Sequence, residues 1–359
     1  MKITHISHSN NVNDGGISIA VKNLVNAQSS VNVNWICSSD YPSFIRDYSV
    51  AREIKKQNPS LIQVHGLWRS PTRAIKFYIP DKYPYIISPH GMLDPWALDQ
   101  SRLKKSIVFF ICEKDIIANS VCIQALCESE IHAIRNINKD VPIALIPNGV
   151  NLPLLNPEKI VSPPWHKEFD NSKKILLFFG RFHRKKGIYP LLKAWKIFEE
   201  RNPNTPWRLV FVGFGDSTNI KTIILDNQLK YCSIYGPCFG AIKDSMFRNS
   251  NAFILPSYSE GLPITAIEAM SYKLPCLLTK ECNISDAYNN GSELIDIDVD
   301  KLSSSLDKFC KKSDAEHKSM GNKAYDFVNC NFTWDIVQKK FSQLYGWILE
   351  KQSKPNFIH

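Results

Sequence analysis

Short, mostly apolar runs separated by stretches with helical spacing place the tightest limit on what this chain can fold into. Leu61 to Val64, Tyr85 to Ser88, Ile143 to Ile146, Leu209 to Val212, Ser233 to Tyr235, Phe253 to Leu255 and Cys276 to Leu278 are such runs. A parallel strand covered on both faces reads this way, because neither face can carry a polar stripe into water. Alternation of such strands with helices predicts an α/β protein with doubly wound sheets. Two sets are present. The first opens with a strand at Lys2 to His8, and further strands follow at Val33 to Cys37 and beyond. The second begins at Lys174, with a strand Ile175 to Gly180, a turn Arg181 to Gly187 and a helix Tyr189 to Arg201. Between them, residues 151–170 carry Pro153, Pro157, Pro163 and Pro164, which reads as a connection between domains. The expected layout is a first Rossmann-like domain over 1–160, a second over 171–335, and a C-terminal helix and tail over 336–359. The last helix has Trp334, Val337, Phe341, Leu344 and Ile348 at helical spacing and is expected to pack on one or both halves.

Open α/β sheets bind ligands beyond the carboxyl ends of their strands, so the polar residues at those ends matter most. After the first strand, Asn10 to Gly16 is a polar turn ending in two glycines, and a helix follows from Ile17. No G-x-G-x-x-G is present, and Gly213-Phe214-Gly215 is only a fragment of one. A dinucleotide cofactor is therefore not expected. His65 and His90 fall just past strand ends. The stretch Leu255 to Met270 reads as a strand end, a polar break at Ser257 to Gly261, and a helix with Pro263 in its first turn. Glu260 sits in the break, and the N–H groups of Gly261 and Leu262 would point into the same space, backed by the positive helix end. Glu268 follows inside the helix. Two carboxylates beside free amides suit a ligand with both hydroxyls and phosphate. The same spacing also suits a Glu260 that only caps the helix and a Glu268 that only faces solvent.

Gly180-Arg181-Phe182-His183-Arg184-Lys185-Lys186-Gly187 places a cluster of positive groups in a turn after a strand. Such a run is either a solvated face or a phosphate site, and its place at the sheet edge between two glycines points to phosphate. Arg can bind phosphate through two parallel hydrogen bonds and Lys adds a point charge.

The chain has 359 residues and a formal net charge of +10, which favours anionic partners: nucleotides, nucleic acid or an acidic membrane face. Its 10 cysteines include no C-x-x-C pair, which argues against zinc and for a reduced, cytoplasmic protein. Met1 to His8 lacks the apolar core of a secretory signal, and no apolar run reaches a membrane-spanning length. Residues 101–119 carry Arg102, Lys104 and Lys105 ahead of Ile107 to Ile111. They read as a helix packed on the sheet with a solvated basic end, or as an interfacial membrane helix. Asp296-Ile297-Asp298-Val299-Asp300 holds D-x-D twice, a metal-binding pattern elsewhere, but no nucleotide-binding unit leads into it and it is expected to be a surface loop.

Together these residues resemble the nucleotide-sugar-dependent, retaining glycosyltransferases of the two-domain GT-B type, family four (glycosyl transferases group 1). The resemblance is carried by Gly180-Arg181 with Lys186-Gly187, by Gly213-Phe214-Gly215, and by Pro256-Ser257 through Glu260-Gly261 to Glu268-Ala269-Met270. In the first half, Ser88-Pro89-His90-Gly91 through Leu98 and Pro147-Asn148-Gly149-Val150 also fit. The resemblance implies two Rossmann-like domains facing across a cleft, with the C-terminal helix packing back toward the first. It implies that Arg181 and Lys186 neutralise the diphosphate of a UDP- or GDP-linked sugar. It further implies that Glu268 holds the ribose, that Glu260 with Gly261 and Leu262 binds the transferred sugar, and that Gly16 approaches the diphosphate. His90 lies on the acceptor side, with His65 as a competitor for that role. A retained anomeric configuration, no obligatory metal or other cofactor, a glycan or lipid-linked glycan acceptor, and a role in bacterial surface polysaccharide or lipopolysaccharide synthesis follow from the same resemblance. Peripheral contact with the acidic inner membrane face is compatible with it, and nucleic acid is not an expected partner. One departure concerns the sugar pocket: Gly261 is followed by Leu262-Pro263, where the family often has Phe-Gly. The competing readings are a non-catalytic basic protein that binds nucleotide, RNA or acidic lipid, and a Rossmann-type oxidoreductase, which the missing glycine fingerprint disfavours.

Overall fold

The computed structural model describes residues 1–11, 16–28, 31–99, 102–155, 161–170 and 172–359. Residues 12–15 of the expected glycine-bearing turn lie outside the described residues. The chain divides into two compact units, Met1–Gly149 with Trp334–His359, and Val150–Thr333.

The first unit holds β1 (Lys2–Ser7), β2 (Asn32–Cys37), β3 (Leu61–His65), β4 (Tyr85–Ser88), β5 (Cys122–Ala125) and β6 (Ile143–Leu145). They form one sheet in the order β2-β1-β3-β4-β5-β6. The second unit holds β7 (Lys174–Phe179), β8 (Trp207–Val212), β9 (Cys232–Tyr235), β10 (Ala252–Leu255), β11 (Cys276–Leu278) and β12 (Ser292–Leu294), in the order β12-β11-β10-β7-β8-β9. Every pairing among these strands is parallel. Each sheet therefore reverses its strand order once, between β1 and β3 and between β7 and β10. β5 and β12 are strands that the apolar runs did not announce, since both are short and interrupted by polar residues.

Burial on both faces explains the composition of the strands. In the first sheet Ile3 pairs with Leu61 and Ile6 with Val64. Successive side chains point to opposite faces. Ile6, Ile62, Val64, Ile87 and Ile123 thus enter one core cluster, while Ile3, Leu61, Ile86 and Cys122 enter another. The second cluster is completed from the far end of the chain. Val337, Phe341, Leu344 and Tyr345 of the helix Trp334–Ile348 are buried in it. Beyond that helix Ile358 bridges to Ala144, and the backbones of His359 and Ile143 exchange two hydrogen bonds. These cover the edge that β6 would otherwise expose.

Residues 102–118 form a continuous helical segment with a π-helical stretch at Phe109–Glu113. The expectation of a helix packed on the sheet with only a basic end in solvent needs correction. Cys112, Ile116 and Ile117 are buried, but Leu103, Ile107, Phe110 and Ile111 are exposed. No described helix is long and apolar enough to cross a membrane.

Candidate active site

In the second unit the two turns flanking the order reversal are locked together. Gly187 ends the 3₁₀ turn Arg184–Lys186 with φ +67°, and a Cβ there would meet the Pro256 carbonyl oxygen at 1.8 Å. Only glycine allows the turn after β7 to press this closely on the turn after β10. The Tyr258 amide donates to the Lys185 carbonyl (2.8 Å), which fixes the contact. Buried Phe182 anchors the other end of the basic turn, its amide donating to the Phe214 carbonyl at 2.7 Å.

This packing brings Lys186 to Glu260. Their Nζ and Oε1 are 2.6 Å apart, and the Ser257 hydroxyl donates to the same oxygen at 2.6 Å. Glu260 is only 8% exposed, so the pair is held in a partly dry environment where opposite charges attract strongly. The Glu260 backbone is fixed from a third turn, that after β11. Its amide donates to the Glu281 carbonyl (3.0 Å), and the Asn283 side-chain amide donates to the carbonyls of Glu260 (2.6 Å) and Gly261 (3.2 Å). Leu262 is buried. Cys282 adjoins the site, but burial and then the Glu260 charge push its thiol up to about 12, so it is no nucleophile.

Pro263 occupies the cap position of the helix Ile264–Ser271 rather than its first turn. Glu268 lies within this helix and pairs with Lys243 Nζ at 2.6 Å. Lys243 comes from the helix Gly240–Arg248 and also lies over the ring of Phe179, 5.5 Å from its centroid. Arg181 is exposed, and neither a hydrogen bond nor an ion pair engages its guanidinium among the described residues. Lys186, Glu260, Gly261, Leu262, Glu268 and Arg181 thus belong to one unit, on the turns and helix that follow β7 and β10. Gly16, His65 and His90 belong to the other. Ser257 lay within the motif but was given no role from sequence, and Lys243 and Asn283 were not singled out, since no motif marks them. Asp296 pairs with Lys301 (2.9 Å) and Asp298 caps the helix Val299–Cys310, so both have structural partners.

The first unit holds a chain of buried polar groups that ends at His90. Its direction follows from the far end. The Gln124 amide nitrogen donates to the Ile146 carbonyl (2.8 Å), which can only accept. Gln124 Oε1 then accepts from the Ser88 hydroxyl (2.6 Å), and Ser88 Oγ accepts from Gln63 Nε2 (2.9 Å). Gln63 Oε1 accepts from the Tyr345 hydroxyl (2.5 Å), whose oxygen accepts from Gln28 Nε2 (2.9 Å). Gln28 Oε1 accepts from His5 Nε2 (2.8 Å). A neutral imidazole that donates from Nε2 offers only a lone pair at Nδ1. His5 Nδ1 therefore accepts from His65 Nε2 (2.9 Å), and His65 Nδ1 from His90 Nε2 (3.0 Å). Burial keeps the rings neutral: it lowers His5 and His90 to about 4, and it holds His65 well below its ordinary value, with the neighbouring histidines adding to that shift. His90 Nδ1 is left as a bare acceptor, with no hydrogen-bond partner among the described residues. His90 is also held at φ +54°, a strained conformation of the kind that collects at functional sites.

Two family models match this chain. Glycosyltransferase Family 4 matches residues 15–153 and Glycosyl transferases group 1 matches residues 164–327. An uncharacterized glycosyltransferase of Methanocaldococcus jannaschii is 28% identical over 45% of this chain and 41% of its own. The capsular polysaccharide biosynthesis glycosyltransferase CapM of Staphylococcus aureus is 22% identical over 69% of this chain and 67% of its own. The first of these matches thus spans less than half of the relative's length. Among solved structures, sucrose-phosphate synthase from Thermosynechococcus elongatus superposes with a TM-score of 0.80 at 18% identity, covering 98% of this chain and 100% of the other. HepE of Anabaena, in complex with UDP-glucose, gives 0.73 at 13% identity, covering 97% and 100%. With one match on each half, in the order found here, and the shared two-domain fold, this chain belongs to the glycosyltransferases of family four, of the GT-B fold.

Proposed function

We propose that this protein transfers a sugar from a nucleoside-diphosphate donor to a hydroxyl of a glycan or lipid-linked glycan, with retention of anomeric configuration, during assembly of a bacterial surface polysaccharide. The observation that carries the proposal is the Lys186–Glu260 pair, held where the second sheet reverses its strand order. That reversal is where doubly wound sheets seat nucleotides. CapM supports the polysaccharide context by its name, and HepE in complex with UDP-glucose supports a nucleotide-sugar donor.

In this reading Arg181 and Lys186 face the diphosphate and Glu268 accepts from the ribose hydroxyls. Glu260, oriented by Ser257 and Lys186, accepts from hydroxyls of the sugar beside the amides of Gly261 and Leu262. The bond from the sugar's anomeric carbon to the diphosphate oxygen breaks, and a bond to the acceptor oxygen forms on the same face. The acceptor's proton passes to the departing diphosphate. Negative charge grows on that group as the bond lengthens, and cations fixed in advance stabilise it without rearranging. Gly16 serves close backbone approach to the same diphosphate, and no metal is required because side-chain cations supply the charge. His90, through Nδ1, accepts from a hydroxyl on the acceptor side, with His65 behind it. Activity is placed on the cytoplasmic side of the membrane, with peripheral contact through the exposed apolar side chains of residues 103–111.

The test is calorimetric titration with UDP, GDP and NAD, followed by a screen of nucleotide sugars for hydrolysis and for transfer. Binding of UDP or GDP but not NAD, and a product with the donor's anomeric configuration, are expected. Indifference to all nucleotides, together with steep salt dependence of RNA or lipid binding, would instead make this a basic binding protein.

A further inference from the structure

The turn after β11 grips the segment that carries Glu260, and it is itself held firmly. The Thr279 hydroxyl donates to the Ser257 carbonyl at 2.7 Å, and the Tyr288 hydroxyl donates to the Thr279 carbonyl at 2.8 Å. Thr279, Cys282, Ile284 and Ala287 are all buried. From this base Asn283 reaches across to the carbonyls of Glu260 and Gly261, at 2.6 and 3.2 Å. Both partners can only accept, so the side-chain nitrogen faces them and not the oxygen.

The backbone at Asn283 suits another residue better. It closes the 3₁₀ turn Lys280–Cys282 at φ +57° and ψ 34°, in the left-handed region. Glycine takes that conformation without steric cost, and asparagine is among the few side chains that tolerate it. A turn that served folding alone would therefore be met at least as well by glycine. What asparagine adds is a side-chain amide, and here its nitrogen is directed at two carbonyls of the neighbouring turn.

Those bonds have a directional effect. Across a trans peptide unit the carbonyl and the N–H point in opposite directions. Drawing the Glu260 carbonyl toward Asn283 turns the Gly261 N–H away from it. Drawing the Gly261 carbonyl the same way does this for the Leu262 N–H. Successive amides aimed to one side make a small positive concavity that suits an oxygen ligand. The Leu262 N–H has no hydrogen-bond partner among the described residues, although Leu262 is only 9% exposed. The bond from the Glu260 amide to the Glu281 carbonyl (3.0 Å) fixes the peptide unit before Glu260, not the two that follow it. Orientation of those two falls to Asn283.

We propose that Asn283 is a positioning residue for sugar transfer: it orients the two peptide groups after Glu260 so that their amides meet oxygens of the transferred sugar. The assignment rests on the glycosyl-transfer reading, in which Gly261 and Leu262 face that sugar. It adds to that reading a residue that touches neither sugar nor diphosphate. Binding of a nucleoside diphosphate, given there to Arg181, Lys186 and Glu268, does not depend on it.

The test compares the full-length wild type with Asn283→Gly and Asn283→Asp. The probes are UDP-glucose, UDP-galactose, UDP-N-acetylglucosamine and GDP-mannose, each beside its nucleoside diphosphate. Asn283→Gly keeps the left-handed turn and removes only the donors, so its Tm is expected to equal or exceed that of wild type. Calorimetric stoichiometry with UDP or GDP counts the competent sites. Per competent site, kcat for cleavage of the nucleotide sugar is expected to fall about tenfold, the joint effect of two neutral hydrogen bonds. KM and the Kd for the nucleoside diphosphate are expected to stay as in wild type. Asn283→Asp presents oxygens to the same carbonyls, repels them, and is expected to lose more turnover than Asn283→Gly. An unchanged kcat in Asn283→Gly overturns the assignment. So does a parallel loss of kcat, stoichiometry and Tm, which marks a residue that serves only the fold. If wild type cleaves none of the nucleotide sugars, the transfer reading fails and the assignment falls with it. If wild type is active and Asn283→Gly equals it, the assignment alone fails.

Discussion

Lys186 and Glu260 meet at 2.6 Å from turns that follow two different strands of one sheet, with Ser257 donating to the same carboxylate oxygen. Neither charge is spare, because each would be left partly buried without the other. Lys186→Ala therefore has two expected effects. Turnover in the transfer assay falls by about 10²–10³, as when one group that stabilises developing charge is removed. The second unit also loses stability, since Glu260 remains buried without its cation. Arg181→Ala, at an exposed side chain, is expected to lower turnover alone. Wild-type transfer and donor hydrolysis in both folded variants would refute the donor-site assignment.

The Glu268 carboxylate accepts from Lys243, which leaves one of its oxygens to a ligand. If that ligand is the ribose, Glu268→Ala should weaken UDP or GDP binding by about 10–100-fold, the range for hydrogen bonds to a charged group. A nucleotide lacking the 2′ and 3′ hydroxyls should bind wild type and variant alike. Calorimetry with the two nucleotides checks this, and a wild type indifferent to the missing hydroxyls would free Glu268 from that role.

Donor-site cations make a specific claim about metal. In the proposed reading Arg181 and Lys186 would provide what a divalent ion supplies in other transfer enzymes. Turnover is expected to survive exhaustive EDTA treatment unchanged. A strict need for added Mn²⁺ or Mg²⁺ would contradict the claim and return interest to Asp296 and Asp298.

The polar chain from Ile146 to His90 predicts that His5, His65 and His90 all carry their proton on Nε2. Long-range ¹⁵N–¹H correlation spectra of the imidazoles distinguish the two tautomers directly. Tyr345→Phe removes the hydroxyl that links Gln63 to Gln28, so the three rings are expected to lose that uniform state. A proton on His90 Nδ1 in the wild type would sink the argument.

Burial also makes the first unit's stability depend on pH in two opposed ways. His5 and His90 are lowered to about 4. Between that value and the ordinary 6.5 the unfolded chain binds protons that the folded one does not, so stability falls on acidification. Burial raises Glu113 and Glu130 to about 7. Their contribution is full below the ordinary 4.5 and is lost as pH rises toward 7. The two sets offset each other. Glu113→Gln keeps the acceptor for the Trp68 amide and the Thr72 hydroxyl but removes one opposing group. Its acid loss of stability between pH 7 and 4.5 should be steeper than wild type by about 3 kcal/mol, at ~1.4 kcal/mol per pKa unit. Hydrogen exchange of β3 and β4 amides reports it, and an unchanged pH slope would contradict the raised carboxyl.

Apolar runs and glycines announced most of the sheet and the turns around Lys186 and Glu260, because both follow from local rules of burial and backbone freedom. β5 escaped notice because Gln124 interrupts it, and Gln124 is there to serve the polar chain. His5, Gln63, His65, Ser88 and Gln124 share one face of the first sheet by the alternation of strand residues. For all but His65, which its place at a strand end had marked, that parity was the one sequence signal. Tyr345 and Gln28 carried none, since their partners lie far away in the chain: 317 positions separate Gln28 from Tyr345. Lys243 was equally hidden, an ordinary helix lysine until the fold sets it beside Glu268.

The helix that buries Tyr345 is made after the second unit, yet it belongs to the unit begun before it. A nascent chain therefore reaches the ribosome exit with its opening sheet lacking part of one cover, and β6 waits through all of Val150–Thr333 for Ile358 and His359. The second unit, being continuous, can close on its own in the interval. The hydrogen-bond chain that prepares His90 passes through the Tyr345 hydroxyl, so it cannot be whole until the ribosome has passed the entire second unit.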